Sequence, residues 1–72
     1  MEKLTRKKAL GIVKFIENYS DDPERAHTLE DRLFTDFIHC VANNMYDDIN
    51  EASNVAEVVS RTSKIDFPRW CA

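Results

Sequence analysis

The chain has 72 residues, of which 43% are apolar and 32% charged, and its formal net charge is −3. These values are typical of one globular domain whose core is smaller than the size usual for independent stability. The single glycine and two prolines argue against a turn-rich β fold, and the absence of a long apolar run or signal peptide predicts a cytoplasmic protein without a membrane span.

The charges are distributed unevenly along the chain. Residues 1–14 carry five bases and one acid, whereas residues 15–57 carry eleven acids and two bases. The basic residues are few and the acidic body would repel phosphate, so direct nucleic-acid binding is not expected beyond a contribution from the basic arm Lys3–Lys14.

The first amphipathic stretch predicts a helix over about residues 4–19. Its apolar side chains recur at the 3.6-residue spacing of a helix. Leu10 projects away from this stripe, and an exposed patch that included Leu10 or Val58 would favour a homodimer or a hydrophobic partner. The stripe consists of Ala9, Ile12, Val13, Ile16 and Tyr19.

The central stretch predicts a long second helix over residues 23–43. Asp22 can cap its first N–H groups, and Pro23 has the backbone angle that the first helical position requires. The apolar arc is wide enough for neighbouring helices on two sides. Its members are Leu29, Leu33, Phe34, Phe37, Ile38, Cys40 and Val41.

A third helix is predicted over about residues 48–63. Acidic residues near its start suit the positive end of the helix dipole. Its apolar residues are small or β-branched, so they permit close packing but give weak intrinsic helicity. The stripe expected to be buried is Ile49, Ala52, Val55, Ala56, Val59 and Thr62.

The C-terminal segment, residues 64–72, contains three large apolar side chains, those of Ile65, Phe67 and Trp70. Pro68 prevents the third helix from continuing. Because free aromatic side chains would leave a large apolar area in water, this tail is predicted to pack across the bundle. The expected fold is therefore a single all-α domain over residues 1–72, a small three-helix bundle with an ordered tail.

Glu30 is a carboxylate close to the centre of the apolar arc, where it requires a cation or a hydrogen-bond donor. The tail brings Arg69 and Trp70 towards the bundle, and His27 lies at the edge of the arc. We therefore predict a structural latch made of Glu30, Arg69, Trp70 and His27, with a bidentate Glu30–Arg69 pair. A general acid or base tuned by burial is the alternative interpretation of Glu30.

The sequence contains no recognisable catalytic or ligand-binding constellation. His27 and Asp31 are one turn apart but do not form an HExxH zinc signature, and Cys40 and Cys71 lack zinc-ligand spacing. These two cysteines could form a disulfide if the tail folds back, although two thiols are expected in a reducing cytosol. No catalytic activity, metal or cofactor is predicted.

Two segments resemble a group of small helical proteins encoded by bacteriophages and by prophage-bearing bacteria, particularly actinobacteria. They are Ala26-His27-x-Leu29-Glu30-Asp31-x-Leu33 and the ending Ile65-Asp66-Phe67-x-Arg69-Trp70-Cys71-Ala72. The resemblance covers roughly residues 22–42 and 65–72. It implies a phage-related origin, action in the host cytoplasm and no catalytic residues.

Two hypotheses for the function follow. In the first, the protein is an interaction module that binds a host or phage protein, with a second copy of itself as a further candidate partner. In the second, an acidic face imitates nucleic acid and inhibits a host DNA-binding, RNA-binding or defence protein, and such binding should weaken sharply with salt. The acidic face would consist of Glu24, Asp31, Asp36, Asp47, Asp48, Glu51 and Glu57.

Overall fold

The computed structural model describes residues 2–69, which contain three α-helices and a closing 3₁₀ turn. These are α1 (Arg6–Asn18), α2 (Pro23–Ala42) and α3 (Ile49–Ser60), followed by the 3₁₀ turn Arg61–Lys64. No strand occurs in this part of the chain, and all three helices contact one another. The predicted all-α class and three-helix bundle are confirmed.

Each helix begins at a side-chain cap. Thr5, Asp22 and Asp48 each precede a helix and accept a hydrogen bond from the backbone N–H three residues further on. Such caps satisfy N–H groups that have no partner within the helix. Because Thr5 is the cap, α1 begins at Arg6, two residues later than the predicted start.

The helices enclose one continuous core in a molecule of 36 × 16 × 16 Å. The 20 residues of α2 set the long dimension, since a helix rises about 1.5 Å per residue. The buried apolar residues come from all three helices and from both flanking segments, and they are Leu4, Ala9, Val13, Ile16, Ala26, Leu33, Cys40, Val55, Val58, Val59 and Phe67.

The predicted buried face of α3 was partly wrong. Ile49 was expected in the core but is 76% exposed, whereas Val58 is completely buried. Val55 and Val59 of the predicted stripe are buried as expected. The contact of α3 with α1 is more extensive than its contact with α2, so a second stripe through Val58 is covered as well. No exposed patch can therefore include Val58, and Leu10 is half-buried against the core.

The N-terminal arm is attached to the end of the bundle where α2 turns towards α3. The Leu4 side chain is buried, and its N–H donates to Cys40 Sγ at 3.3 Å. The Tyr46 hydroxyl donates to the Leu4 carbonyl at 2.8 Å. Burial raises the pKa of Tyr46, so this hydroxyl keeps its proton and remains a donor.

The described part of the tail, residues 65–69, leaves the 3₁₀ turn and contacts the bundle. Its main anchor is Phe67, which is only 4% exposed and belongs to the core. The predictions for Trp70 and Cys71 lie outside the described residues.

Candidate functional site

The structure brings Glu30 of α2 and Arg69 of the tail into direct contact. Arg69 Nε donates to Glu30 Oε1 at 2.9 Å, and Nη2 donates to Oε2 at 3.1 Å, which is bidentate geometry. Nη2 also donates to the Thr62 carbonyl at 2.8 Å. The Arg69 guanidinium further lies 3.9 Å from the centre of the Phe67 ring. One side chain thus joins α2, the 3₁₀ turn and the tail.

The environment of Glu30 keeps its carboxylate charged. Burial by itself would raise the pKa of Glu30, but the hydrogen bonds and charge of Arg69 outweigh it, with smaller contributions from Thr62 and His27, and lower the pKa. His27 Nδ1 lies 3.4 Å from an Asp31 oxygen, so the imidazole pairs with that exposed acid. Arg69 occupies both Glu30 oxygens, an arrangement that suits a structural ion pair better than a proton-transferring group.

The predicted acidic residues are distributed over several surfaces, and four of them have partners within the chain. Lys3 Nζ binds Glu51 at 2.7 Å, and Arg61 forms two hydrogen bonds with Glu57. The Asp48 carboxylate caps α3, and Asp31 contacts His27.

The remaining three acids are Glu24, Asp36 and Asp47. Glu24 is exposed in the first turn of α2, Asp47 is exposed before α3, and Asp36 is half-buried. Five residues of helix separate Asp31 from Asp36, which places them about 140° apart around α2. These two acids therefore lie on different sides of that helix.

An apolar groove lies between α2 and α3. One section has a volume of about 300 Å³ and is lined by Phe34, Phe37, Ile38, Ala56, Val59 and Ser60. A neighbouring section of about 280 Å³ is lined by Val41, Asn44, Tyr46, Asp48, Ile49 and Ala52. Ile38 and Val41, like Ala52 and Ala56, are neighbours on one helix face, so the two sections form one α2–α3 groove.

The groove exists because the apolar arc of α2 is wider than its neighbours can cover. Phe34, Ile38 and Val41 remain 41%, 61% and 47% exposed, and Ile49 of α3, which lines the same section as Val41, is 76% exposed. The predicted two neighbours of α2 are α1 and α3, but they bury mainly Leu33, Cys40 and the residues beside them. Part of the predicted apolar arc therefore remains on the surface of the described chain.

Two further hollows have larger volumes, about 510 and 550 Å³, but mixed linings. In the first, at the turn between α1 and α2, Phe15 stacks on Tyr19 and the Arg25 guanidinium lies 4.8 Å from the Tyr19 ring centre. The second is lined mostly by polar side chains near the 3₁₀ turn. The α2–α3 groove is the more apolar surface, and sequence periodicity alone did not identify it.

Comparison of the chain with protein-family models, with curated proteins and with solved structures finds no match. Within residues 2–69, no helix is long and apolar enough to cross a membrane. The same residues contain no group of three His, Cys, Asp or Glu side chains that could hold a metal ion.

Proposed function

We propose that the protein is a non-catalytic interaction module that binds another protein through the α2–α3 groove. The observation that carries this proposal is the exposure of four large apolar side chains along one groove, those of Phe34, Ile38, Val41 and Ile49. Contiguous apolar patches on small proteins commonly mark binding surfaces, because leaving them in water is unfavourable.

The resemblance of residues 22–42 and 65–72 to phage-encoded proteins suggests the kind of partner. On this basis the partner is a host or phage protein, and the site of action is the cytoplasm, that of the host if the chain is phage-encoded. The groove favours a partner that contributes an apolar helix or an apolar loop, as in helix-in-groove recognition.

Nucleic-acid mimicry is the alternative function, and it has less support. A mimic needs free carboxylates in a regular array, whereas Glu51, Glu57 and Asp31 pair with cationic or imidazole groups of the chain itself. Asp48 is engaged as a helix cap.

An affinity capture from host lysate, at low and high salt, tests the proposed function. The bait is the full chain, beside Ile38→Glu and the control Phe15→Glu. Both substitutions place a carboxylate on an exposed apolar position, but Phe15 lies on α1, outside the groove, and is 58% exposed.

We expect a partner that is retained by the wild type and by Phe15→Glu at high salt and lost with Ile38→Glu. Capture that disappears at high salt and is indifferent to Ile38→Glu would instead support mimicry, since exposed charge contacts are screened by salt. A partner that binds Ile38→Glu as well as it binds the wild type at high salt would exclude the groove.

A further inference from the structure

We infer that, in the free protein, the α2–α3 groove is occupied by a second copy of the same chain. This inference rests on the proposed function and specifies the first partner of the same surface. In the arrangement we propose, a two-fold axis runs parallel to the helices, so that α2 of each copy lies over α3 of the other. A host or phage protein would then bind by displacing the second copy.

The shape of the groove is complementary to itself under this operation. In the section at the Phe34 end, the α2 wall carries the large side chains of Phe34 and Ile38, and the α3 wall includes the small side chain of Ala56 beside Val59. Ile38 and Ala56 line the same section, so a two-fold axis along the helices places Ile38 of one copy opposite Ala56 of the other. Large side chains then fill the hollows above small ones, as close packing requires.

The direction of the helices also suits this arrangement. A short connection joins α2 to α3, so the two run antiparallel. With α2 over α3 of the partner copy, each of the four helices around the shared core has antiparallel neighbours, which is the geometry of an up-and-down four-helix bundle.

The charge on this face does not oppose self-association, although each chain carries −3. The groove section that is lined by Phe34, Ala56 and their neighbours has no ionisable side chain in its lining. Asp48, at the other end, is engaged by the N–H of Glu51 at 2.8 Å. A heterologous partner selected by charge would require several charged groups in the groove, whereas a second copy of a mostly apolar face does not.

The exposed area matches a small dimer interface. The four most exposed groove residues, Phe34, Ile38, Val41 and Ile49, keep 41%, 61%, 47% and 76% of their surface in water. At roughly 150–200 Å² for a large apolar side chain, they leave roughly 350–450 Å² per chain. Two copies would bury roughly 700–900 Å² from these residues alone, and Phe37, Ala52, Ala56 and the rim bring the total to the roughly 1,000 Å² of a weak specific interface.

Sedimentation velocity of the full chain between about 1 and 200 µM, beside Ile38→Glu and Phe15→Glu, tests the inference. We expect concentration-dependent dimerisation of the wild type and of Phe15→Glu, and a dissociation constant at least about 100-fold weaker for Ile38→Glu. Circular dichroism melts establish that each variant is folded. We also expect dimerisation to be unchanged or strengthened by salt, because screening reduces repulsion between acidic chains.

A mixing experiment tests the arrangement itself. Ile38→Glu and Ala56→Lys chains should each dimerise poorly alone and should form a heterodimer when mixed, because the new charges face each other across the interface.

A wild type that is monomeric throughout this range would overturn the inference, as would equal dimerisation of all variants. Dimerisation only after removal of residues 70–72 would also overturn it, by identifying the tail as the occupant. If the wild type is a monomer but captures a host protein, and Ile38→Glu abolishes that capture, the dimer is excluded and the proposed function stands.

Discussion

Replacement of Arg69 by alanine should be the most destabilising change available at a side chain that lies largely outside the core. The substitution removes the two hydrogen bonds to Glu30 and the one to the Thr62 carbonyl. It leaves the Glu30 carboxylate, in a residue that is 7% exposed, without its cation.

The magnitude follows from the burial of the pair. Loss of one partner of a fully buried ion pair costs about 3–5 kcal/mol, and exposed pairs contribute about 0–1 kcal/mol. The Arg69 side chain is 36% exposed and that of Glu30 is 9% exposed, so we expect a loss of about 2–3 kcal/mol. A 72-residue domain has a total of about 4–11 kcal/mol, and its melting temperature should fall by about 10–20 °C.

Urea unfolding followed by circular dichroism provides the measurement, with Arg61→Ala as the matched control. Arg61 forms a bidentate pair with Glu57 whose distances are even shorter, 2.7 and 2.6 Å, but both side chains are exposed, so its removal should have a much smaller effect. A double-mutant cycle with Glu30→Ala isolates the coupling between the two residues. Additive losses at Glu30 and Arg69, or an Arg69→Ala effect no larger than that of Arg61→Ala, would refute the reasoning.

Three other predictions concern the remaining supports of the fold. Because the pKa of Glu30 in the folded chain is below its usual 4.5, the stabilisation of the fold by the charged Glu30 should be complete above that value and be lost as the pH falls through the folded pKa. The free energy of unfolding of Glu30→Gln should therefore lack this pH-dependent loss between about pH 6 and 2. A pH profile identical to that of the wild type would contradict the prediction. Tyr46→Phe should cost about 1 kcal/mol and accelerate amide exchange at Leu4, whose carbonyl loses its donor, whereas unchanged exchange would show that the arm is held by other contacts. Phe67→Ala should cost about 3–5 kcal/mol in thermal unfolding, while the exposed neighbour Asp66→Ala should be nearly neutral, and a small loss at Phe67 would mean that the tail contributes little to the core.

Local chemistry made the helices predictable. Asp22 and Asp48 are at helix starts in the sequence and act as caps in the structure, because a cap depends on residues within one turn. The contact of Glu30 with Arg69 could be anticipated for a related reason. A carboxylate on an apolar arc requires a cation, and the tail supplies one beside an aromatic anchor.

Local sequence patterns did not predict which face of α3 is buried or where the N-terminal arm lies. Ile49 and Val58 both belong to apolar stripes of one helix, and periodicity alone does not specify which stripe faces α1. Leu4 is buried through contacts with Cys40 and Tyr46, which lie 36 and 42 residues away, and no periodic pattern marks such an arm in advance.

The stability of the single chain does not account for the exposed half of the α2 arc. Leu33 and Cys40 are at most 1% exposed and their burial stabilises the monomer, whereas Ile38 and Ile49 are 61% and 76% exposed and add little to the monomer core. We therefore expect Ile38→Ser and Ile49→Ser to change the free energy of unfolding of the isolated chain by less than about 0.5 kcal/mol in dilute solution. The same substitutions should abolish concentration-dependent stabilisation, because that part of the stability belongs to the complex. If either serine variant instead unfolded at all concentrations, the replaced isoleucine would have to be part of the monomer core. The exposed isoleucines would then no longer support the groove as a binding surface.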